Sequence, residues 1–444
     1  MSDPSRTLPS SPAKVPARVW GGTGLLVVGR LWSSACTLLT LFLLARHLEP
    51  EGFGRLTFYL ALFLMLDSLA DMGTGQIAVQ WTAHRPERVF GVLRVTRRIR
   101  LVTGLTGTLL VGGGALLAGE PGAPWILLAG LYQLTHTLEL STLVFKNRIA
   151  WARPVAIRAV ASSLSLGFVL LFWWRNVREP ALYLLAIAMG SALGNLLLHV
   201  VGRAHLPRSG TEQISLRPLL RAALPIGIAS LCQQTYFYVD NIFVRAFEGP
   251  APLGHYNVAV RIMSYGIMVA VYASLAALPW LTRERDAGRL RAAAGRLARP
   301  MFALAGLGTG LLWPWCEELL ALFGPGFSSA GPSLRWLLLA TLAVYVGAVF
   351  LTAVVASGRS GAVLKIALAG LAVNLVGNAL LVPALGLEGA AMATFATELT
   401  VALAAAACLR RSGQHVFSLP AAAGWAAGPV LFYVGLLLSS HSPF

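Results

Sequence analysis

The sequence predicts an all-α, multi-pass membrane protein, and three observations carry that prediction. Of 444 residues, 56% are hydrophobic and only 12% charged, against roughly a quarter charged in soluble domains, and the mean hydropathy is +0.69. The apolar residues gather into about thirteen runs near 20 residues long, the length a helix needs to cross about 30 Å of hydrocarbon. Basic residues fall almost wholly into alternate connections between those runs.

The first two runs, 22–45 and 54–72, are divided by HLEPEGFG, and the six basic residues of 85–100 precede the third, 100–118. The fourth and fifth, 124–145 and 155–174, flank the basic stretch Lys146 to Arg158. The sixth, 181–201, ends before the basic segment Gly202 to Arg221. The seventh and eighth, 219–244 and 254–281, are joined by a short segment containing Arg245. Six arginines from Arg283 to Arg299 come before the ninth, 300–316. The tenth and eleventh, 333–356 and 362–382, are linked near Arg359, and the twelfth, 387–408, leads into Arg410 and Arg411. A thirteenth follows at 421–439.

Placing the N-terminus in the cytoplasm puts 27 of the 35 Lys and Arg on that side and leaves Arg46, Arg55, Arg175, Arg178 and Arg245 outside. This is the positive-inside pattern for an N-in chain with an odd number of spans. The net charge of +17 is therefore an expression of topology. The clusters are too small, and too close to spans, to read as a nucleic-acid surface, so no nucleic-acid partner is expected.

The organisation expected is a flexible cytosolic tail over 1–20, an N-lobe of six helices over 21–202, a basic linker over 203–218, a C-lobe of six helices over 219–411 and an extra helix over 420–440. The halves repeat: Gly54 and Gly254 open corresponding helices at an offset of 200, and TLVFKNRIAWARPVAIR from Thr142 corresponds more loosely to TAVVASGRSGAVLKIAL from Thr352. Internal repeats are how transporters build alternating access around a midplane site.

Much is excluded. The loops are too short for a soluble catalytic domain. GxxxxGK[ST] and HExxH are both absent, and Cys36, Cys232, Cys316 and Cys408 lie in apolar runs without CxxC spacing, so a transporter without cofactor or metal is expected rather than an enzyme.

Once basic residues at the cytosolic ends of the runs are counted with the loops, three arginines, Arg30, Arg261 and Arg335, remain inside spans. A charge in the bilayer core costs about 2.5–3.5 kcal/mol on insertion scales, which makes it a functional candidate; snorkelling to the headgroups is the competing reading. Arg30 shares a helical face with Ser33, Ser34, Thr37 and Thr40, and Arg261 with Asn257, Ser264, Tyr265 and Met268. The two cations enter from opposite faces and are expected to bracket one chamber. Arg335, beside Trp336, reads as an interfacial anchor. Gln233 and Gln234 on the seventh helix supply amide groups suited to sugar hydroxyls, and Ser34, Thr37, Asn257 and Tyr265 extend that polar set; interhelical hydrogen bonding is the alternative for all of them. His136, Glu139, Asp240 and Glu398 are the candidates for proton or ion coupling, and Asp67 and Asp71 complete the acids within spans.

Four stretches together resemble the polysaccharide transport and oligosaccharide flippase group of the multidrug/oligosaccharidyl-lipid/polysaccharide exporter superfamily. They are ARHLEPEGFGRLTFYLALF at 45–63, LADMGTG at 69–75, LRAALPIGIASLCQQTYFYVDNIFV at 220–244 and NLVGNALLVPALGLEGAAMATFATE at 374–398. The resemblance implies a MATE-like fold of two six-helix lobes around a central cavity, in a bacterial plasma (inner) membrane. The implied cargo is a polyprenyl-diphosphate-linked oligosaccharide moved to the outer leaflet for O-antigen, capsule or exopolysaccharide assembly, with membrane lipids and other polysaccharide assembly proteins as partners. Related lipid II flippases carry cavity arginines on the first, second and eighth helices, which adds Arg55 to Arg30 and Arg261 as diphosphate ligands here. A cation-coupled exporter of drugs or small metabolites, and a non-transporting scaffold, are the alternatives.

Overall fold

The computed structural model describes residues 17–83, 85–147, 152–206, 214–283 and 287–411. The described residues are helical with turns between and contain no strand. Seven helices are long and apolar enough to cross a membrane by length and composition. Two of these are too long for one crossing: Ala17–Asp71 has 55 residues, about 80 Å at 1.5 Å per residue, and Ser360–Arg411 has 52. Each is broken at one residue. Glu49, before Pro50, adopts φ 59° and ψ 176°, and Gly386, after Pro383, adopts φ 57° and ψ −129°. These breaks separate the first span from the second and the eleventh from the twelfth. Residues 1–16 of the tail expected at 1–20, part of the linker, and the whole thirteenth run at 421–439 lie outside the described residues; the first helix is already under way at Ala17.

The third and ninth helices begin well before their apolar runs, at Val89 and Ala287. Val89, Val92, Leu93 and Thr96 are buried on one side of the first extension, and Leu290, Ala293, Ala294 and Ala298 on one side of the second. Both extensions are amphipathic helix, whose basic residues conceal the apolar stripe from a search for continuous hydrophobic runs. Consequently Arg94, Arg97, Arg98 and Arg100 stand on a helix rather than in a loop, and Arg100 is 8% exposed.

The fourth span is not one helix. It is divided into Ala123–Gly130, Tyr132–Glu139, a 3-10 turn at Leu140–Thr142 and Leu143–Asn147. Side chains take up carbonyls along it: Thr108 Oγ1 donates to Gly130 O at 2.7 Å, Arg100 Nη1 to His136 O at 3.2 Å and Arg97 Nε to Thr137 O at 3.3 Å. Irregular backbone at membrane depth is tolerated where it is buried against protein in this way. The seventh span is likewise divided at Val239, between Leu216–Tyr238 and Asp240–Phe247.

The lobes meet along the second, seventh and eighth helices. Near the turn at Glu49 the second and eighth cross so closely that a Cβ on Gly54 would overlap Pro250 O, and one on Gly254 would overlap Pro50 O. At the other end of the second helix Gly73, at φ 71°, lies against the seventh; a Cβ there would stand 2.8 Å from both Ala223 O and Gly227 N. The two faces are called here the basic face, which carries the loops rich in Arg and Lys, and the opposite face.

Candidate functional site

Between those two contacts the second helix presents Leu60, Phe63, Leu64 and Asp67 to a cavity of about 340 Å³, within the 300–1,000 Å³ usual for ligand sites. Most of its wall comes from the N-lobe. Hydroxyls enter from the first helix (Thr37, Thr40), the fifth (Ser162, Ser165) and the sixth (Ser191), with Asn195, Tyr132 and His136 beside them. Asn195 is oriented by donating from Nδ2 to Thr135 Oγ1 at 3.0 Å. Two cations reach the same space: Arg158 from the fifth helix and, across from the C-lobe, Arg261.

An ionic chain forms part of this wall. His136 has a carboxylate at each ring nitrogen, with Nε2 3.4 Å from Asp67 and Nδ1 3.5 Å from Glu139. Glu139 turns its other oxygen to Arg158 Nη2 at 3.0 Å. One turn nearer the basic face Asp71 pairs with Arg100, and accepts from Gly75 N at 3.2 Å. Arg158 is thus neutralised by a neighbour on the wall. For Arg261 there is no acidic partner within ion-pair distance among the described residues, which leaves the chamber with one uncompensated guanidinium.

Of the residues singled out in the sequence, Arg261, Thr37, Thr40, Asp67 and His136 line the cavity, and Glu139 stands directly behind His136 and Arg158. Arg30 is not brought there. It is exposed on the first helix and stacks over the Tyr272 ring, 5.0 Å from its centroid. Tyr272 lies eleven residues beyond Arg261 on one helix, about 16 Å along its axis. Arg30 and Arg261 therefore do not bracket one chamber; the second cation of the chamber is Arg158, which the sequence assigned to a cytosolic loop. Ser34 is half-buried on the first helix away from the cavity wall, Gln233 is exposed and Gln234 half-buried on the seventh, and Tyr265 is half-buried one turn from Arg261.

Arg55 and Asn257 lie at the opposite face. Asn257 Nδ2 donates to Thr57 Oγ1 at 2.9 Å and to Asn241 Oδ1 at 2.8 Å. Arg55 Nε lies 3.6 Å from Glu120, the acid that also binds Arg245 at 3.0 Å. Asp240 and Glu398 line a separate, much smaller pocket inside the C-lobe. There Asp240 accepts from Tyr256 Oη at 2.6 Å and from the Asn241 backbone and side chain. Arg335 pairs with Glu317 at 2.8 Å. No cluster of three metal-ligating side chains occurs among the described residues.

Sequence reasoning missed Arg158 and Arg100 for one reason: each falls in a stretch dense in basic residues. The signal available was spacing, since Arg158 lies four residues before Ser162 and seven before Ser165, one face of a helix.

Comparison with known proteins agrees with this geometry. Two curated relatives are each 26% identical: an uncharacterized membrane protein of Methanocaldococcus jannaschii over 202 residues, and the probable flippase AglR of Haloferax volcanii over 199. These matches take in 45% and 43% of this chain, and span less than half the length of either relative, 47% and 41%. Among solved structures, the lipid II flippase MurJ in an inward closed conformation superposes with a TM-score of 0.75 at 12% identity, over 95% of this chain and 94% of that one. An outward-facing multidrug resistance MATE family transporter gives 0.64 at 15%, over 90% and 96%. These likenesses establish the MATE-like fold. A MatE family model matches residues 225–380, and the model described as polysaccharide biosynthesis protein matches 19–284, more than half the chain and every residue named on the cavity wall: the chain belongs to the polysaccharide biosynthesis protein family of MATE-like membrane proteins.

Proposed function

We propose that the chain is a flippase that moves a polyprenyl-diphosphate-linked oligosaccharide from the inner to the outer leaflet by alternating access, for O-antigen, capsule or exopolysaccharide assembly. The observation that carries this reading is the chamber holding Arg261 and Arg158 among hydroxyls, placed along the second helix between the two close contacts of the lobes. Guanidinium groups bind phosphate oxygens through paired, charge-assisted hydrogen bonds, and the Ser, Thr and Asn side chains suit a glycan. Glu139, by holding Arg158, keeps the chamber from being so cationic that cargo is retained.

The charge asymmetry of the loops supports a cytoplasmic N-terminus; the bacterial inner membrane rests on the family reading. An inside-negative potential drives a diphosphate outward, by about 2.3 kcal/mol per charge per 100 mV. Membership of the polysaccharide biosynthesis family and the fold shared with the lipid II flippase MurJ support the same class of work.

The test is a lipid extract from cells lacking the protein. Polyprenyl-linked glycan is expected to accumulate on the cytosolic side. An unchanged lipid-linked pool together with unchanged surface polysaccharide would sink the reading. A second reading, a cation-coupled exporter of drugs or small metabolites, is favoured by His136 standing between Asp67 and Glu139 on the cavity wall. It predicts dye efflux that depends on Glu139 or Asp240 and is indifferent to Arg261.

A further inference from the structure

At the opposite face one carboxylate serves two guanidiniums from different lobes. Glu120 sits in the turn between the third and fourth helices, fixed by Gly119 at φ 66° and Gly122 at φ 75°. Both its oxygens accept from one nitrogen of Arg245 on the seventh helix, at 3.0 and 3.1 Å. Arg55 on the second helix approaches the same carboxylate only to 3.6 Å. Its remaining acid, the exposed Glu51, lies at 4.0 Å.

The arrangement is under-satisfied. Arg55 Nε and Arg245 Nη1 are both buried without a hydrogen-bond partner. Two guanidiniums offer ten N–H donors, and one carboxylate cannot fill them. An anion with more oxygens and a charge near −2 would match both. Phe58 lies 5.5 Å below Arg245 and holds it toward the second helix.

The position adjoins the chamber on the side of the opposite face: Leu184 lines both the central cavity and the small pocket bounded by Arg55, Tyr59 and Glu120. We propose that Arg55 and Arg245 form a second anion site at the opposite face, where the diphosphate of the cargo displaces Glu120. This rests on the flippase reading and adds a stage to it. Glu120 and Arg245 make an ionic contact between the lobes at this face; once cargo takes its place, only cargo joins the two cations. Its departure leaves like charges facing one another until Glu120 returns, which couples release to opening and resets the closed state.

The experiment uses the full chain in detergent, with Cys36, Cys232, Cys316 and Cys408 replaced by alanine. A single reporter cysteine stands at Leu253, which is fully buried at this face, with Leu56→Cys as a second reporter in case the first destabilises the fold. Inorganic pyrophosphate binding is followed by calorimetry, and reporter exposure by maleimide labelling. Glu120→Gln is expected to tighten pyrophosphate binding about tenfold and to speed labelling without ligand. In the parent, pyrophosphate is expected to speed labelling, and Arg55→Gln or Arg245→Gln to abolish that response while leaving the binding that depends on Arg261. Farnesyl diphosphate is expected to act as pyrophosphate does; a response to the free anion alone would overturn the proposal. So would pyrophosphate binding that depends on Arg261 with labelling unchanged in the parent, or unaltered by the Arg55 and Arg245 variants, and in that case the functional reading stands. No pyrophosphate binding to any variant would remove the functional reading itself, and this proposal with it.

Discussion

Asn257 donates a hydrogen bond to Thr57 at 2.9 Å, and the two residues stand 200 positions apart. That is the offset at which Gly54 and Gly254 open corresponding helices, so the internal repeat is realised as a physical crossing in which equivalent positions face one another. Backbone meets backbone there because both glycines lack a Cβ. An approach this close requires that neither position carry a side chain.

Gly54→Val and Gly254→Val each drive a side chain into the facing backbone carbonyl, which has no flexible end to yield. Overpacking of this kind costs about 1–3 kcal/mol. The expected outcome is a folded protein that cannot close its opposite face: faster maleimide labelling of Leu253→Cys, loss of flippase activity, and no more than a modest fall in melting temperature.

Arg261→Ala is expected to reduce flippase activity by about tenfold or more, since hydrogen bonds to charged groups contribute about 1.5–3 kcal/mol and, among the described residues, Arg261 has no acidic partner within ion-pair distance. Arg30→Ala is expected to cost much less, because Arg30 is exposed and its contact is the face of Tyr272. Arg30→Lys should be indistinguishable from the parent. Surface polysaccharide measured in complemented deletion cells ranks the three variants; an Arg30→Ala defect equal to that of Arg261→Ala would contradict the placement.

The helices and their order were legible because each needs an apolar face of about 20 residues, and the repeat was legible because Gly54 and Gly254 recur at one offset; that the two glycines pack against each other was not, since a repeat does not say which of its copies touch. The cavity was legible in part. Arg261 stood out as a lone cation among apolar residues. Arg158 and Arg100 did not, because hydropathy treats a dense basic stretch as a loop even where amphipathic helix carries it inward. Arg30 misled for the converse reason: a charge in an apolar run is exposed here, lying on the seam between the first and eighth helices. Pairings such as Glu120 with Arg245 are separated by 125 residues and leave no local pattern.

Asp71→Asn removes the acid facing Arg100, whose side chain is only 10% exposed. Breaking a fully buried pair costs about 3–5 kcal/mol; Asp71 is itself 38% exposed, so a loss nearer 2 kcal/mol is expected. It should appear as a lower melting temperature in detergent. Replacing both partners, Asp71→Asn with Arg100→Met, should recover much of that loss, since no buried charge is then left alone. A double variant as unstable as the single one would show that Arg100 acts through the His136 carbonyl instead.

Glu139→Gln tests whether the acid competes with cargo for Arg158. Their separation is 3.0 Å, and Glu139 also faces His136, so its neutralisation frees one guanidinium without emptying the wall. Pyrophosphate affinity is expected to rise about tenfold, toward the lower end of what a charge-assisted hydrogen bond contributes because the Arg158 side chain is 39% exposed. Flippase activity is expected to fall in the same variant, since tighter holding in the chamber slows passage toward Arg55 and Arg245. A rise in affinity without loss of activity would mean that release from the chamber does not limit transport. Unchanged affinity would mean that Arg158 does not meet the anion.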